Sequence, residues 1–74
     1  MWIASFNYER FRTVREKTQT SQSTLAEQAG TTDRYIRDLE TGRKKNPSAV
    51  LLCQLCGELG VPMESLMDIH EEKI

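Results

Sequence analysis

Three groups of side chains in this sequence have the types and spacing to do chemistry. Cys53 and Cys56 stand in a C-x-x-C spacing, as redox dithiols and zinc sites do. Dithiol exchange of that kind needs a βαβ setting that the chain lacks, and zinc needs more ligands than the lone His70 supplies. Three residues apart on a helix, the two sulfurs share one face, so both are expected in the core, with no metal and no cofactor. His70 sits in an acidic stretch, without paired carboxylates in an apolar setting and without a nucleophile motif, which speaks against an enzyme. The third group is ionic. Asp33, Arg34, Arg37 and Asp38 crowd one short segment, and Arg43, Lys44 and Lys45 follow soon after it.

The charge distribution bears on what that segment meets. The net charge is −1, yet residues 1–45 hold nine of the ten Lys/Arg against six Asp/Glu, whereas residues 46–74 hold one lysine and five acids. A basic front and an acidic rear predict a polyanion partner at one face, with the far face kept soluble. At 74 residues, 38% hydrophobic and 28% charged, the chain is expected to form a single domain over residues 1–74. Folding at this size hides only about 60% of the surface of the unfolded chain, so the core is thin and dimerisation would help. No apolar run is long enough for a membrane span, and no basic region followed by a long apolar stretch opens the chain. The expected location is cytoplasmic, with no membrane partner.

Those residues need elements to position them. Glycine and proline divide the chain into five short segments, none of which alternates apolar and polar residues long enough to predict a strand. Five helices are expected. The first starts after Asn7 as a cap, carries Phe11 and Val14 on one face and ends near Thr18. Ser21 caps the second, residues 22–29, with Leu25, Ala26 and Ala29 inward and Gly30 closing it in a left-handed turn. Thr32 caps the third, residues 33–40, with Ile36 and Leu39 inward and Gly42 just past its end. A basic loop stops at Pro47, and Ser48 caps the fourth helix, residues 49–59. Its apolar positions Val50, Leu51, Leu52, Cys53, Leu55, Cys56 and Leu59 cover a wide face, as a central helix requires. Gly60 ends it, and Pro62 pre-sets a short acidic fifth helix from residue 63 to about residue 70, with Leu66, Met67 and Ile69 apolar. Trp2, Ile3 and Phe6 form a short apolar arm over residues 1–6, without helical period, expected to pack on the fifth helix or across a dimer.

Two helices of about eight residues joined by a tight turn cross steeply, which presents the N-terminal half of the second outward, where it can enter a major groove of DNA. Ala26 must be small for that approach, and Gly30 supplies the turn. The string Gly-Thr-Thr-Asp-Arg-Tyr-Ile-Arg-Asp-Leu-Glu-Thr-Gly-Arg-Lys-Lys-Asn-Pro at residues 30–47 resembles the lambdoid phage repressor/Cro-like (XRE-type) helix-turn-helix family. Leu59, Gly60 and Val61 match the join between that family's last two helices, and the resemblance runs from about residue 7 to 69. It implies an all-α fold: a compact five-helix, lambda-repressor-like DNA-binding domain with its motif core at residues 21–42.

The resemblance also implies roles by position. Ser21 and Gln22 stand where the family anchors a backbone phosphate, and Thr32 resembles a further phosphate contact. A helix N-terminus offers free amides and a positive dipole end to an anion, so that role also has a physical basis of its own. Asp33, Arg34, Arg37 and Asp38 lie at or next to the base-reading positions, and Arg43, Lys44 and Lys45 look like further phosphate ligands. Arg15 and Glu40 match a buried salt bridge that orients the recognition helix without touching DNA. The aspartates depart from the phage repressor pattern, which favours amides there. A carboxylate accepts from cytosine N4 and repels phosphate, whereas Arg34 favours guanine through O6 and N7. Asp33 with Arg37 and Arg34 with Asp38 are also spaced as i,i+4 surface ion pairs, and the basic run also suits a solvated loop.

The expected function is sequence-specific binding of double-stranded DNA by a small transcriptional regulator, acting as a homodimer on a near-palindromic operator. The dimer surface is expected on the fifth helix and the segment before it, with Trp2 and Ile3 contributing. Two other readings remain open. One is an antitoxin-like or controller protein whose main role is capture of a protein partner. The other is an interaction module that keeps the fold without DNA binding, which the acids of the third helix favour.

Overall fold

The computed structural model describes residues 1–72; residues 73–74 of the expected domain lie outside the described residues. The elements run β1 (Trp2–Phe6), α1 (Tyr8–Lys17), α2 (Gln22–Ala29), α3 (Asp33–Thr41), α4 (Ala49–Leu59), a 3₁₀ turn (Met63–Leu66) and β2 (Met67–Glu71).

Each α-helix begins at a short polar side chain that takes up an orphan amide of the first turn. Asn7 Oδ1 accepts from the Arg10 N–H at 2.9 Å and Ser21 Oγ from the Thr24 N–H at 3.0 Å. Thr32 Oγ1 accepts from the Tyr35 N–H and Ser48 Oγ from the Leu51 N–H, both at 3.1 Å. Each such cap contributes about 1 kcal/mol. The apolar faces meet in one core to which every helix contributes. Phe11, Leu25, Ile36, Leu39, Leu55 and Leu66 are its fully buried large side chains, each stabilising the fold by about 1.5–3 kcal/mol.

The C-terminal part differs from the expected fifth helix. Only residues 63–66 wind, as a 3₁₀ turn, and the chain then extends into β2, antiparallel to β1 with Trp2 opposite Glu71 and Phe6 opposite Met67. The class is therefore helical with an added strand pair, and not all-α with five helices. The physical reason is that β1 supplies β2 with backbone partners from the other end of the chain. Asn7 fastens the junction: its N–H donates to Leu66 O at 2.8 Å and its side-chain amide to Asp68 Oδ1 at 3.2 Å. The arm is likewise a strand. Only Phe6 reaches the core, its ring 5.5 Å from that of Phe11, while Trp2 stays 70% exposed.

The buried face of α4 is also narrower than expected. Leu52, Leu55, Cys56 and Leu59 form an i, i+3, i+4, i+7 stripe, and Val50 and Cys53 lie outside it. The C-x-x-C pair thus straddles the edge of the stripe. Cys56 is buried, and that burial pushes its thiol pKa up, with smaller contributions from Cys53 and Glu64. Cys53 is exposed, its Sγ 3.6 Å from Met63 Sδ.

Candidate nucleic-acid interface

The geometry of the interface follows from the turn between α2 and α3. Gly30 takes the left-handed conformation at φ 72°, and the Thr31 N–H donates back to Ala26 O at 2.9 Å. The chain then re-enters helix at Thr32. Leu25, Ala26 and Ala29 of α2 and Ile36 and Leu39 of α3 are all buried, which locks the two helices together and leaves the opposite side of α3 facing solvent.

On that side Asp33, Arg34 and Arg37 are exposed and Asp38 is half-buried. Arg34, Arg37, Asp38, Thr41 and Arg43 line one open cleft of about 460 Å³. Three guanidinium groups against one carboxylate make this a cationic surface. The Lys44 N–H donates to Asp38 O at 3.1 Å, folding the basic loop back on the last turn of α3 and bringing Arg43 to the cleft. Lys44 and Lys45 are exposed beyond it, and Lys45 lines a separate cleft with Ser5, Phe6, Tyr8 and Asn46. Thr41 is absent from the set named on sequence grounds. Its signal was there, since it follows Arg37 by four residues on the same helix face.

Asp33 stands apart from the cleft. Its Oδ1 accepts from the Arg34 N–H at 2.9 Å, so it serves the first turn of the helix, where a negative charge also suits the dipole. Neither Asp33 with Arg37 nor Arg34 with Asp38 closes into an ion pair; among the described residues the ion pairs are Arg10–Asp68, Arg12–Glu16 and Arg15–Glu40. Ser21 and Thr32 are both exposed, with their hydroxyls engaged as caps.

Behind the interface lies a polar network. Arg15 grips Glu40 with two bonds, Nε to Oε2 and Nη2 to Oε1 at 3.0 Å, and its Nη1 donates to Thr20 O at 2.8 Å. The side chains are 12% and 3% exposed. The hydrogen bond to Glu40 raises the pKa of Arg15, against the lowering effect of its burial. Gln22 joins them: its Nε2 donates to Glu40 Oε1 at 3.0 Å. The family resemblance points Gln22 at phosphate and does not link it to Glu40. The network ties α1, the first turn of α2 and the last turn of α3 together, and so fixes the angle at which α3 is presented.

A helix-turn-helix family model matches residues 11–66, the span from α1 to the 3₁₀ turn. The chain belongs to the phage repressor/Cro-like (XRE-type) helix-turn-helix family. Other members share the architecture. The restriction-modification controller protein C.AhdI from Aeromonas hydrophila superposes with a TM-score of 0.73 at 29% identity, over 78% of this chain and 86% of that one. The biofilm master regulator SinR, solved in complex with DNA, gives 0.74 at 29% identity over 78% of this chain and 95% of that one. Its DNA-binding domain is from Bacillus subtilis. The P22 c2 repressor, solved with a synthetic operator, gives 0.72 at 24% identity over 77% and 85%, a likeness of fold. Comparison with curated proteins gives no match. β1 and β2 both lie outside the span that the family model covers.

Proposed function

We propose that the chain forms one domain over residues 1–74 and acts as a cytoplasmic homodimer on a near-palindromic operator, each copy setting α3 in the major groove. Family membership makes it a DNA-binding transcriptional regulator. The proposal adds which residues meet the DNA, in which geometry, and that they bind without catalysing a reaction. Arg34 and Arg37 donate to guanine O6 and N7, and Asp38 accepts from cytosine N4 or aligns a neighbouring arginine. Asp33, beside Arg34 at the start of α3, reads a base edge in the same way while its Oδ1 accepts from the Arg34 N–H. Ser21, Gln22 and Thr32 place the N-termini of α2 and α3 against backbone phosphates. Gln22 has two amide hydrogens, so it donates one to Glu40 and the other to phosphate. Arg43, Lys44 and Lys45 bind phosphates beside the groove, and Arg15 with Glu40 holds α3 at its angle. Half-sites lie about one helical turn apart, as two-fold symmetry requires.

The observation that carries this reading is the cleft on the free side of α3, where three arginines stand exposed and enter no ion pair among the described residues. Fluorescence anisotropy against a random-sequence duplex pool across a salt series, with sequencing of the retained duplexes, tests it. The expected result is a linear fall of log affinity with log salt, about −0.9 for each phosphate neutralised, and a recovered palindrome. Absence of binding at low salt overturns it. In that event the acids of α3 favour capture of a protein partner; SinR, one of the structural neighbours, has been solved in complex with the SinI protein.

A further inference from the structure

The hydrogen bonds of the strand pair fix which way β1 faces. The Met1 amine donates to Glu72 O at 3.1 Å and the Glu72 N–H returns to Met1 O at 2.7 Å, while the Asn7 N–H donates to Leu66 O at 2.8 Å. Bonded and non-bonded pairs alternate along an antiparallel ladder, so Ile3–His70 and Ser5–Asp68 are the bonded pairs of this register. The N–H and C=O groups of Trp2, Ala4 and Phe6 therefore point the other way, along a free edge. None of them bonds to a loop or side chain among the described residues.

Sheet edges of this kind are ordinarily blunted by charge, proline, a bulge or a covering segment. Residues 2–6, Trp-Ile-Ala-Ser-Phe, contain neither charge nor proline. β2 is protected: it carries Asp68, His70 and Glu71, and Arg10 Nη1 reaches Met67 O at 3.4 Å on its outer side. A second observation points to the same edge. Ser5 and Phe6 face opposite sides of the strand, so the cleft of about 280 Å³ lined by Ser5, Phe6, Tyr8, Lys45 and Asn46, with no residue of β2, runs along it. The only tryptophan of the chain, Trp2, is 70% exposed and points to the same face of β1 as Phe6.

We propose that the free edge of β1 pairs antiparallel with β1 of a second copy, with the two-fold axis at Ala4, seating Trp2 of each copy at the edge cleft of the other. This names the surface of the homodimer and rests on the dimeric reading above. In that register Trp2 stands opposite the partner's Phe6 and Ala4 opposite the partner's Ala4. All free backbone groups at residues 2, 4 and 6 gain partners, and a two-stranded ribbon, marginal by itself, becomes a four-stranded sheet. A second copy is the fitting occupant because the edge is its own complement. It opposes no charged side chains along residues 2–6, whereas pairing through β2 would gather Asp68 and Glu71 of both copies into one sheet, and one operation fills both clefts. One strand and one indole bury less than the roughly 1,200–2,000 Å² of a stable interface, so the dimer is weak alone and tightened by DNA.

Sedimentation equilibrium and tryptophan emission of the full chain over a wide concentration range test this, with Trp2→Ala and Ala4→Pro as variants. The Ala4 N–H points to the free edge, so proline there removes no bond of the β1–β2 ladder. The wild type is expected to dimerise with a blue shift of its emission as concentration rises. Both variants are expected to raise the dimer dissociation constant by about tenfold or more, with unchanged far-ultraviolet circular dichroism. Should Ala4→Pro fail to fold, Trp2→Ala carries the test alone. A dimer that withstands the folded variants, or whose emission does not move, overturns this surface and leaves the dimeric reading standing. A wild type that stays monomeric at every concentration and on operator DNA overturns both.

Discussion

Replacing Glu40 by alanine removes the acceptor around which three elements are arranged. Its two oxygens receive Nε and Nη2 of Arg15 and Nε2 of Gln22, and its side chain is 3% exposed. Glu40→Ala leaves the 12%-exposed Arg15 with Thr20 O as its remaining partner and strips Gln22 of its acceptor. Taking away one half of a buried pair costs about 3–5 kcal/mol, because the other charge stays behind without compensation. Stability for a chain of this length is roughly 4–11 kcal/mol at ~0.05–0.15 kcal/mol per residue, so the loss is about a quarter of it or more. At 4–8 °C for each kcal/mol, Tm falls by about 12 °C or more. Urea denaturation followed by circular dichroism gives the free energy directly. The paired substitution Arg15→Met with Glu40→Leu removes both charges together and is expected to recover most of the loss. If Glu40→Ala costs less than about 1 kcal/mol, or the paired variant is as unstable as the single one, the network does not hold α3 as described. The sign of the pH dependence is also set. The raised pKa of Arg15 means its contribution is present below the ordinary arginine range and lost only as pH rises through the folded value. Stability from this pair is therefore flat from neutral to strongly alkaline pH.

Arg34→Ala is expected to relax base preference and cost about 1–3 kcal/mol on the selected operator, whereas Lys45→Ala weakens all sequences alike and lowers the salt slope by about one. Anisotropy on matched and mismatched duplexes separates them, and equal loss of discrimination in both contradicts the assignment. Gly30→Ala and Gly42→Ala each force a side chain into the left-handed region, at about 1–2 kcal/mol. Gly42→Ala is expected to cost more, because its Cβ would stand 3.3 Å from the Tyr8 ring while that of Gly30 meets open space; equal losses refute this. Iodoacetamide is expected to label Cys53 in the folded protein and Cys56 only on unfolding, read by peptide mass spectrometry. The raised thiol pKa of Cys56 contributes stability below the ordinary thiol range that is lost as pH rises through the folded value. Cys56→Ala should flatten that alkaline decline.

What was legible in the sequence was what depends on near neighbours. Ser21 three residues before Thr24, Ser48 before an apolar stripe, and Gly30 and Gly60 past the last inward residue mark α2 and α4 at the observed bounds, since capping and termination are settled within one turn. Gly42 likewise marked the end of α3 to within one residue. The candidate site was legible in the same way, as one exposed helix face and the loop behind it. The link from Gln22 to Glu40 was not, because it joins residues 18 apart, and Thr41 was marked by its spacing from Arg37 alone, with no charge to single it out. Cys53 and Cys56 show the limit of periodicity, because three residues on a helix leave a step wide enough to cross the boundary between core and solvent.

The misread segment has a sharper cause. Leu66, Met67 and Ile69 satisfy a helical face about as well as Met67 and Ile69 satisfy an alternating strand, and a stretch of five residues holds too few repeats to separate the two. The choice is made by β1, which pairs Phe6 with Met67 across the whole length of the chain. Asn7 makes that choice local again. Its side-chain oxygen caps α1, its amide holds Asp68, and its backbone N–H holds Leu66 O, so starting the first helix and closing the sheet place demands on one residue. Alanine at position 7 would then remove the helix cap, at about 1 kcal/mol, together with the Asp68 tether. It would loosen the strand pair more than a capping substitution at Ser48, where no second element is attached. Amide hydrogen exchange should show the difference: faster exchange at Ile3 and His70, the bonded pair of the ladder, in Asn7→Ala, with Ser48→Ala leaving them unchanged. Equal protection at those amides in both variants would mean that the sheet closes without Asn7.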